Sequence, residues 1–365
     1  MKTLLLQGYA VSIKLKNTRL VFTNGIDAKT GKQEIIELPA SACPFDKVVI
    51  QGKGFVGLDA MQVLAENNIN VVILDKRGRL FGYFNQIRGS DPLIRQKQYD
   101  CFRDEARVEY LRKWIVKQKL ESQILLFREI VAGRYRYLVN SDSIMAKFNL
   151  AISKIQNHLQ SMERVHRLRG IIHIESSVAK IYYPTLALIL KPELEFNTRN
   201  NIRNFRPNNA SDVINGLLNY GFSILSAEIT KQLNALGLDC YYGFYHRNHE
   251  SHLALVYDVI KPFRHLVDRS ILEMQDQIKK KDYAFSSQGI VVLSYDLKKR
   301  YIDTMTDILD KKRFYKGRAG IKRTSDGYQR MAENTIMKMK CLELKEFVLA
   351  CKLVKAVQIY LAPGL

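Results

Sequence analysis

Cysteine is scarce in this 365-residue chain, and the five present (Cys43, Cys101, Cys240, Cys341, Cys351) form no C-x-x-C pair. That excludes a disulfide framework and a zinc knuckle, and it fits a reducing compartment. Long hydrophobic runs are missing too. The N-terminal MKTLLLQGYAVSIK holds only a three-leucine apolar core, too short for a signal peptide. No run approaches the roughly 20 apolar residues of a membrane span. The expectation is a cytoplasmic protein without a membrane partner. Acidic residues are the third shortage: 36 Asp+Glu face 57 Lys+Arg, a formal net charge of +21. Such an excess speeds encounter with polyanions and favours phosphate-rich partners, nucleic acid first and a membrane surface second. Internal repeats and low-complexity tails are absent.

What is present fits about two domains. Hydrophobic content of 47% and charged content of 25% are ordinary for a globular chain. Residues 1–85 are β-rich, with short alternating or β-branched segments broken at Asn17 and Asn24-Gly25, and they read as an antiparallel meander. Phe55–Asn68 has helical spacing and Ile69–Leu74 is a buried-type strand. Gly52-Lys-Gly54-Phe-Val-Gly57 is a formal G-x-G-x-x-G with Asp75 downstream. A meander leaves no second nucleotide-binding half, so these glycines read as a tight turn and close packing, with no cofactor bound. Residues 86–100, with Gly, Ser, Asp and Pro beside basic residues, read as a linker. From 101 to 365 long helical periods dominate, with Pro184 expected to end or kink the third helix. Ser211-Asp212 caps a helix that closes at Gly237.

The densest chemistry lies between Gly237 and Arg269. His246 follows an aromatic run, and His249, Glu250 and His252 follow it. Asp258, Lys261, His265 and Asp268 then fall at i, i+3, i+7 and i+10, one helical face. That face is either a solvated stripe or part of a site. Glu175 sits among Ile171, Ile172, Ile174 and Val178, where a carboxylate is costly unless paired or metal-bound. Arg199, Arg203 and Arg206, in an Asn-rich loop, either grip phosphates or simply solvate the loop. The basic, aromatic-bearing stretch Lys311–Lys322, with Lys311, Lys312, Arg313, Lys316 and Arg318, is the second candidate for backbone contacts.

Together these pieces resemble a family. Glu175 with Ala179 and Tyr182-Tyr183, Arg203-Asn-Phe-Arg206-Pro207, Leu217-Leu-Asn-Tyr-Gly-Phe-Ser-Ile-Leu225, Gly243-Phe-Tyr-His246, Leu255-Val-Tyr-Asp258, Pro262-Phe-Arg264 and Val267-Asp-Arg269 resemble the CRISPR-associated spacer-acquisition integrases, the "Cas one" endonucleases. Gly52-Lys-Gly54, Ala65 to Asp75 and Arg77-Gly78 agree in the N-terminal half. The resemblance implies an α+β protein: a β-sandwich-like N-terminal dimerisation domain, then an all-α catalytic domain. It further implies a prokaryotic homodimer acting on double-stranded or splayed DNA beside a small ferredoxin-like adaptation partner. The implied reaction is attack of a captured DNA 3′-hydroxyl on a repeat phosphodiester, a metal-dependent transesterification with Mg²⁺ or Mn²⁺.

Carried over, the catalytic and metal-holding residues are Glu175 and His246, with Asp258 standing in as third ligand. The family usually places an acid just before Pro-Phe-Arg; here that position is Lys261. An ammonium cannot ligate a metal, and from one turn away it is expected to pair with Asp258. Three outcomes follow: an integrase relying on Asp258, a catalytically impaired DNA-binding scaffold of the same fold, or a related transposon integrase.

Overall fold

The computed structural model describes residues 2–26, 31–84, 91–133, 135, 142–199, 210–246, 253–316 and 328–349. Strands Thr3–Lys16 (β1), Arg19–Thr23 (β2), Ile35–Pro39 (β3), Lys47–Val56 (β4), Asn70–Leu74 (β5) and Leu80–Phe84 (β6) form one sheet, ordered β3-β2-β1-β4-β5-β6. Helix Leu58–Glu66 (α1) joins β4 to β5. Leu4, Leu6, Val48, Ile50 and Val71 pack with Ala60 and Leu64 of α1, the core of this region. An N-terminal sheet followed by helices is the α+β class expected above.

The sheet is mixed, which corrects the meander. β1 pairs β4 in parallel and β4 pairs β5 in parallel, while β1–β2, β2–β3 and β5–β6 are antiparallel. Periodicity reports that a segment is a strand but not the direction of its neighbour. The glycines are also placed differently: Gly52 and Gly54 lie within β4, opposite Gly8 and Val11, not in a turn. Between those pairs β1 bulges at Ala10, which has φ 63°. A Cβ on Gly54 would stand 1.7 Å from the Val11 carbonyl oxygen, so the bulged backbone leaves room for glycine alone.

The chain divides into two units. One comprises Met1–Arg88, Asn204–Ala227 and Gln277–Asp307; the other comprises Gly89–Arg203, Glu228–Asp276 and Ile308–Leu365. To the first unit belong the hairpin of Tyr283–Phe285 (β7) with Val291–Leu293 (β8), and most of helix Tyr295–Asp310 (α9). Tyr295 donates its hydroxyl to the Leu5 carbonyl, and Asn24 donates to the Tyr295 oxygen.

In the second unit Pro92–Arg103 (α2) occupies most of the expected linker, because Asp91 caps the Leu93 amide and Pro92 opens the first turn. Then come Glu105–Val131 (α3), capped by Asp104, Asp142–Ser161 (α4) and Leu168–Ala187 (α5). Phe127 stacks on Tyr182 at 4.7 Å and meets Phe148 edge-on at 4.8 Å, locking α3, α4 and α5 together. Pro184 sits inside α5, which runs on to Ala187. Val213–Ala235 (α6), which belongs to the first unit up to Ala227 and to the second from Glu228, starts where Asp212 accepts from the Asn215 amide. Ala254–Val259 (α7) and Arg264–Met274 (α8) flank a tight turn, Lys261–Phe263. Strands Lys312–Lys316 (β9) and Tyr328–Ala332 (β10) pair before helix Glu333–Leu349 (α10). No described helix is long and apolar enough to cross a membrane.

One buried cation burdens the first unit. Lys298 of α9 donates to the Gln51 side chain at 2.9 Å and lies 5.8 Å from the Tyr220 ring centre. Burial pushes its ammonium down to about 8. The folded value lies below the unfolded one, so stability rises with pH between about 8 and 10.4. Below that window the burial cost is fully felt. Lys298→Met removes it but leaves the Gln51 oxygen without that donor, a partial offset. Denaturant titration should find the variant more stable at pH 7 by about 1 to 2 kcal/mol, with the advantage shrinking towards pH 10.

Candidate functional site

The loop after α6 has no regular structure, so its backbone groups must find partners elsewhere. Gly237, with φ 80°, ends the helix. Gln98 of α2 then donates to the Asp239 and Tyr242 carbonyls, both at 2.9 Å, and accepts from the Asp239 amide at 2.8 Å. Arg112 of α3 donates to the Phe244 carbonyl at 2.9 Å. The last acceptor is Asp258 of α7, wholly buried. Its carboxylate takes the amides of Phe244, Tyr245 and His246 at 2.8, 2.9 and 2.9 Å, and His246 Nδ1 at 2.7 Å. A Cβ on Gly243 would fall 2.7 Å from that carboxylate, so glycine is required beside it. With Nδ1 facing the Asp258 carboxylate as donor, the neutral form of His246 carries its lone pair on Nε2, on a ring that is 45% exposed.

Glu175 comes from α5. Lys119 of α3 donates to it at 2.6 Å, Lys261 reaches its two oxygens at 2.7 and 2.9 Å, and the Tyr245 hydroxyl donates as well. Burial pushes this carboxyl up, but the charges of Lys119 and Lys261 outweigh it and hold it well below the usual range. Burial likewise lowers both lysines, Lys261 to about 8, against the opposing pull of Glu175. The Lys261 ammonium also lies 4.1 Å from the Tyr245 ring centre, a cation–π contact. Lys119 escaped the reading of the sequence. Its signal is faint: Arg112, Val116, Lys119 and Gln123 recur at helical spacing among the buried positions of α3.

The shared helical face of residues 258–268 does not converge. Pro262 breaks it into two helices, and all four polar residues are buried, contrary to a solvated stripe. Lys261 pairs with Glu175, not with Asp258. His265 contacts the Pro262 carbonyl through Nδ1 at 2.9 Å, and burial pushes its imidazole down to about 3. Asp268 accepts from the Tyr182 hydroxyl at 2.8 Å, and burial pushes its carboxyl up to about 7.

Of the residues expected to hold DNA backbone, Arg199 lies near enough to Tyr183 to act on its hydroxyl. Lys311 and Lys312 are exposed, Lys311 standing 3.6 Å from Glu273. Arg313 and Lys316 lie on β9. Arg203, Arg206, Arg318, His249, Glu250 and His252 fall outside the described residues.

Residues 4–307 match the family model "CRISPR associated protein Cas1". The chain is 31% identical over 283 residues to "CRISPR-associated endonuclease Cas1 1" of Archaeoglobus fulgidus, covering 74% of this chain and 80% of that protein. A CRISPR-associated endonuclease Cas1 of Korarchaeum cryptofilum is 26% identical over 86% of this chain and 88% of its own. Among solved structures, a casposase bound to integration product superposes with a TM-score of 0.80 at 23% identity, covering 97% of this chain and 92% of that one. A CAS1 protein from Thermotoga maritima superposes at 0.70 and 16% identity, covering 98% and 100%. These two likenesses concern the fold. The chain belongs to the Cas1 family.

The centre does not fit the divalent cation that the family resemblance implies. Both Glu175 oxygens already accept from ammonium groups, and both Asp258 oxygens are committed to the loop. A dication 4 Å from one ammonium meets about 8 kcal/mol of repulsion at an effective dielectric near 20, and here there are two ammonium groups. Among the described residues no group of three His, Cys, Asp or Glu side chains is placed to share a metal.

Asp258 therefore acts first on the backbone. Asp258→Asn replaces a charged acceptor of three amides by a group with one acceptor oxygen, and urea denaturation should show a loss of about 3 kcal/mol. His246→Ala, on a half-exposed ring, should lose only about 1 kcal/mol. Equal losses would remove this role from Asp258.

Proposed function

We propose that this protein works in the integration step of CRISPR adaptation, holding captured DNA and the repeat array as a homodimer beside a small ferredoxin-like partner. Its own centre favours DNA holding over strand joining. The observation that carries this is the Glu175 carboxylate, bound by Lys119, Lys261 and Tyr245 in a Cas1-family chain. A net charge of +21 supports DNA as the partner, through release of counterions from the phosphate backbone. Arg199, Arg203, Arg206, Lys311, Lys312, Arg313, Lys316 and Arg318 are the side chains proposed for backbone contacts.

A second reading, strand joining by this chain itself, draws on the His246 imidazole. Asp258 orients it and leaves Nε2 as an acceptor on an exposed ring. That nitrogen suits the proton of an attacking 3′-hydroxyl, the family-implied step, in which the new phosphodiester forms as a repeat-strand 3′-oxygen departs. Mg²⁺ or Mn²⁺ would supply the phosphate polarisation in that reading, and the lysine pairs at Glu175 argue against it here.

Two measurements separate the readings. Affinity for splayed duplex should fall steeply with salt and persist in EDTA, while Arg203→Ala with Arg206→Ala weakens it without unfolding the protein. On a repeat-containing plasmid, wild type should join strands poorly with or without Mn²⁺. Efficient joining that His246→Ala and Glu175→Ala each abolish would establish the second reading, and salt-independent or absent DNA binding would remove both.

A further inference from the structure

We infer that Lys119 and Lys261 together replace a divalent cation as the built-in counter-charge of Glu175, and so determine that this centre takes no metal. The inference deepens the proposal above by assigning how that same site is charged, and its test reads metal uptake, not DNA. Two ammonium groups carry the charge of one dication. They reach the carboxylate from different elements, Lys119 from α3 and Lys261 from the turn before α8. Their side chains are 8% and 3% exposed, so both lie enclosed beside the carboxylate. The Tyr245 hydroxyl donates to the same carboxylate, and the Tyr245 ring faces the Lys261 ammonium. Tyr245 is itself fixed, since its amide donates to Asp258. Every group near Glu175 named here is thus a donor or a cation, whereas a metal needs several acceptors converging on one point.

Lys119 makes the exclusion more than a single replacement. Lys261→Glu by itself leaves the Lys119 ammonium between two carboxylates, where it satisfies both and keeps the cation out. Relief of both charges is required. In Lys119→Met with Lys261→Glu, the long methionine fills the lysine's volume, and Glu175 and the new carboxylate, with His246 as the family resemblance implies, become the donor set.

The test is Mn²⁺ titration followed by electron paramagnetic resonance on the full chain without DNA, with thermal unfolding in EDTA and in Mn²⁺ alongside. Wild type should bind no Mn²⁺ at this centre, and its melting temperature should not depend on the metal. Lys261→Glu should resemble it. The double variant should gain a saturable Mn²⁺ site that neither of the others has, and Mn²⁺ should raise its melting temperature. Stoichiometric Mn²⁺ uptake by wild type that His246→Ala abolishes overturns the inference, whether or not the variants fold. A double variant with native circular dichroism and no gain in Mn²⁺ affinity overturns it as well. DNA binding by wild type in EDTA, measured in parallel, reports on the proposed function separately.

Discussion

The helical unit depends on one carboxylate held by three donors. Glu175 ties α3, α5, the loop after α6 and the turn before α8 to a single point. Burying a carboxylate and two ammonium groups is expensive, and the attraction among them offsets that cost only while the geometry is complete. Removing any member leaves a buried charge short of a partner. The cluster therefore acts more as a specification of how these four segments meet than as a source of net stability.

Asp258 shows the same economy of polar groups one step along the chain. The segment Gly237–His246 makes no helix or strand, yet its aromatic side chains at Phe244 and Tyr245 are buried. Amides buried along with them need acceptors within the protein. Asp258 supplies one carboxylate for three of them, and the same carboxylate sets the tautomer of His246. Gly243 is the companion requirement, since any side chain there would collide with that carboxylate. A Gly-Phe-Tyr-His run followed by a distant aspartate is thus one folding unit whose product is an oriented, half-exposed imidazole.

In the sheet-bearing unit the corresponding constraint is steric. The bulge at Ala10 brings the β1 backbone so close to β4 that Gly54 tolerates no Cβ. A glycine pattern that looks like a phosphate-binding turn is here strand-to-strand contact. Pattern and function part company because the same absence of a side chain serves any close backbone approach.

Much was legible in the chain as written. The charge excess, the strands from Thr3 to Phe84, the long helices with the Asp212 cap, and the motif order that marks the family all depend on local spacing and composition; the break and cap at Asp104 did not show there. The family resemblance also marks Lys261 as standing where an acid is expected. It does not reveal what Lys261 meets. Glu175 and Lys119 are 56 residues apart, and Glu175 and Lys261 are 86 apart. Whether such side chains touch is decided by how the helices pack, not by the period of any one of them. The parallel pairing of β1, β4 and β5, the break of the 258–268 face at Pro262 and the commitment of Asp258 to the loop were settled in the same way. A sequence states which groups are charged; only the tertiary structure decides which charges are buried together, because burial makes their pairing obligatory.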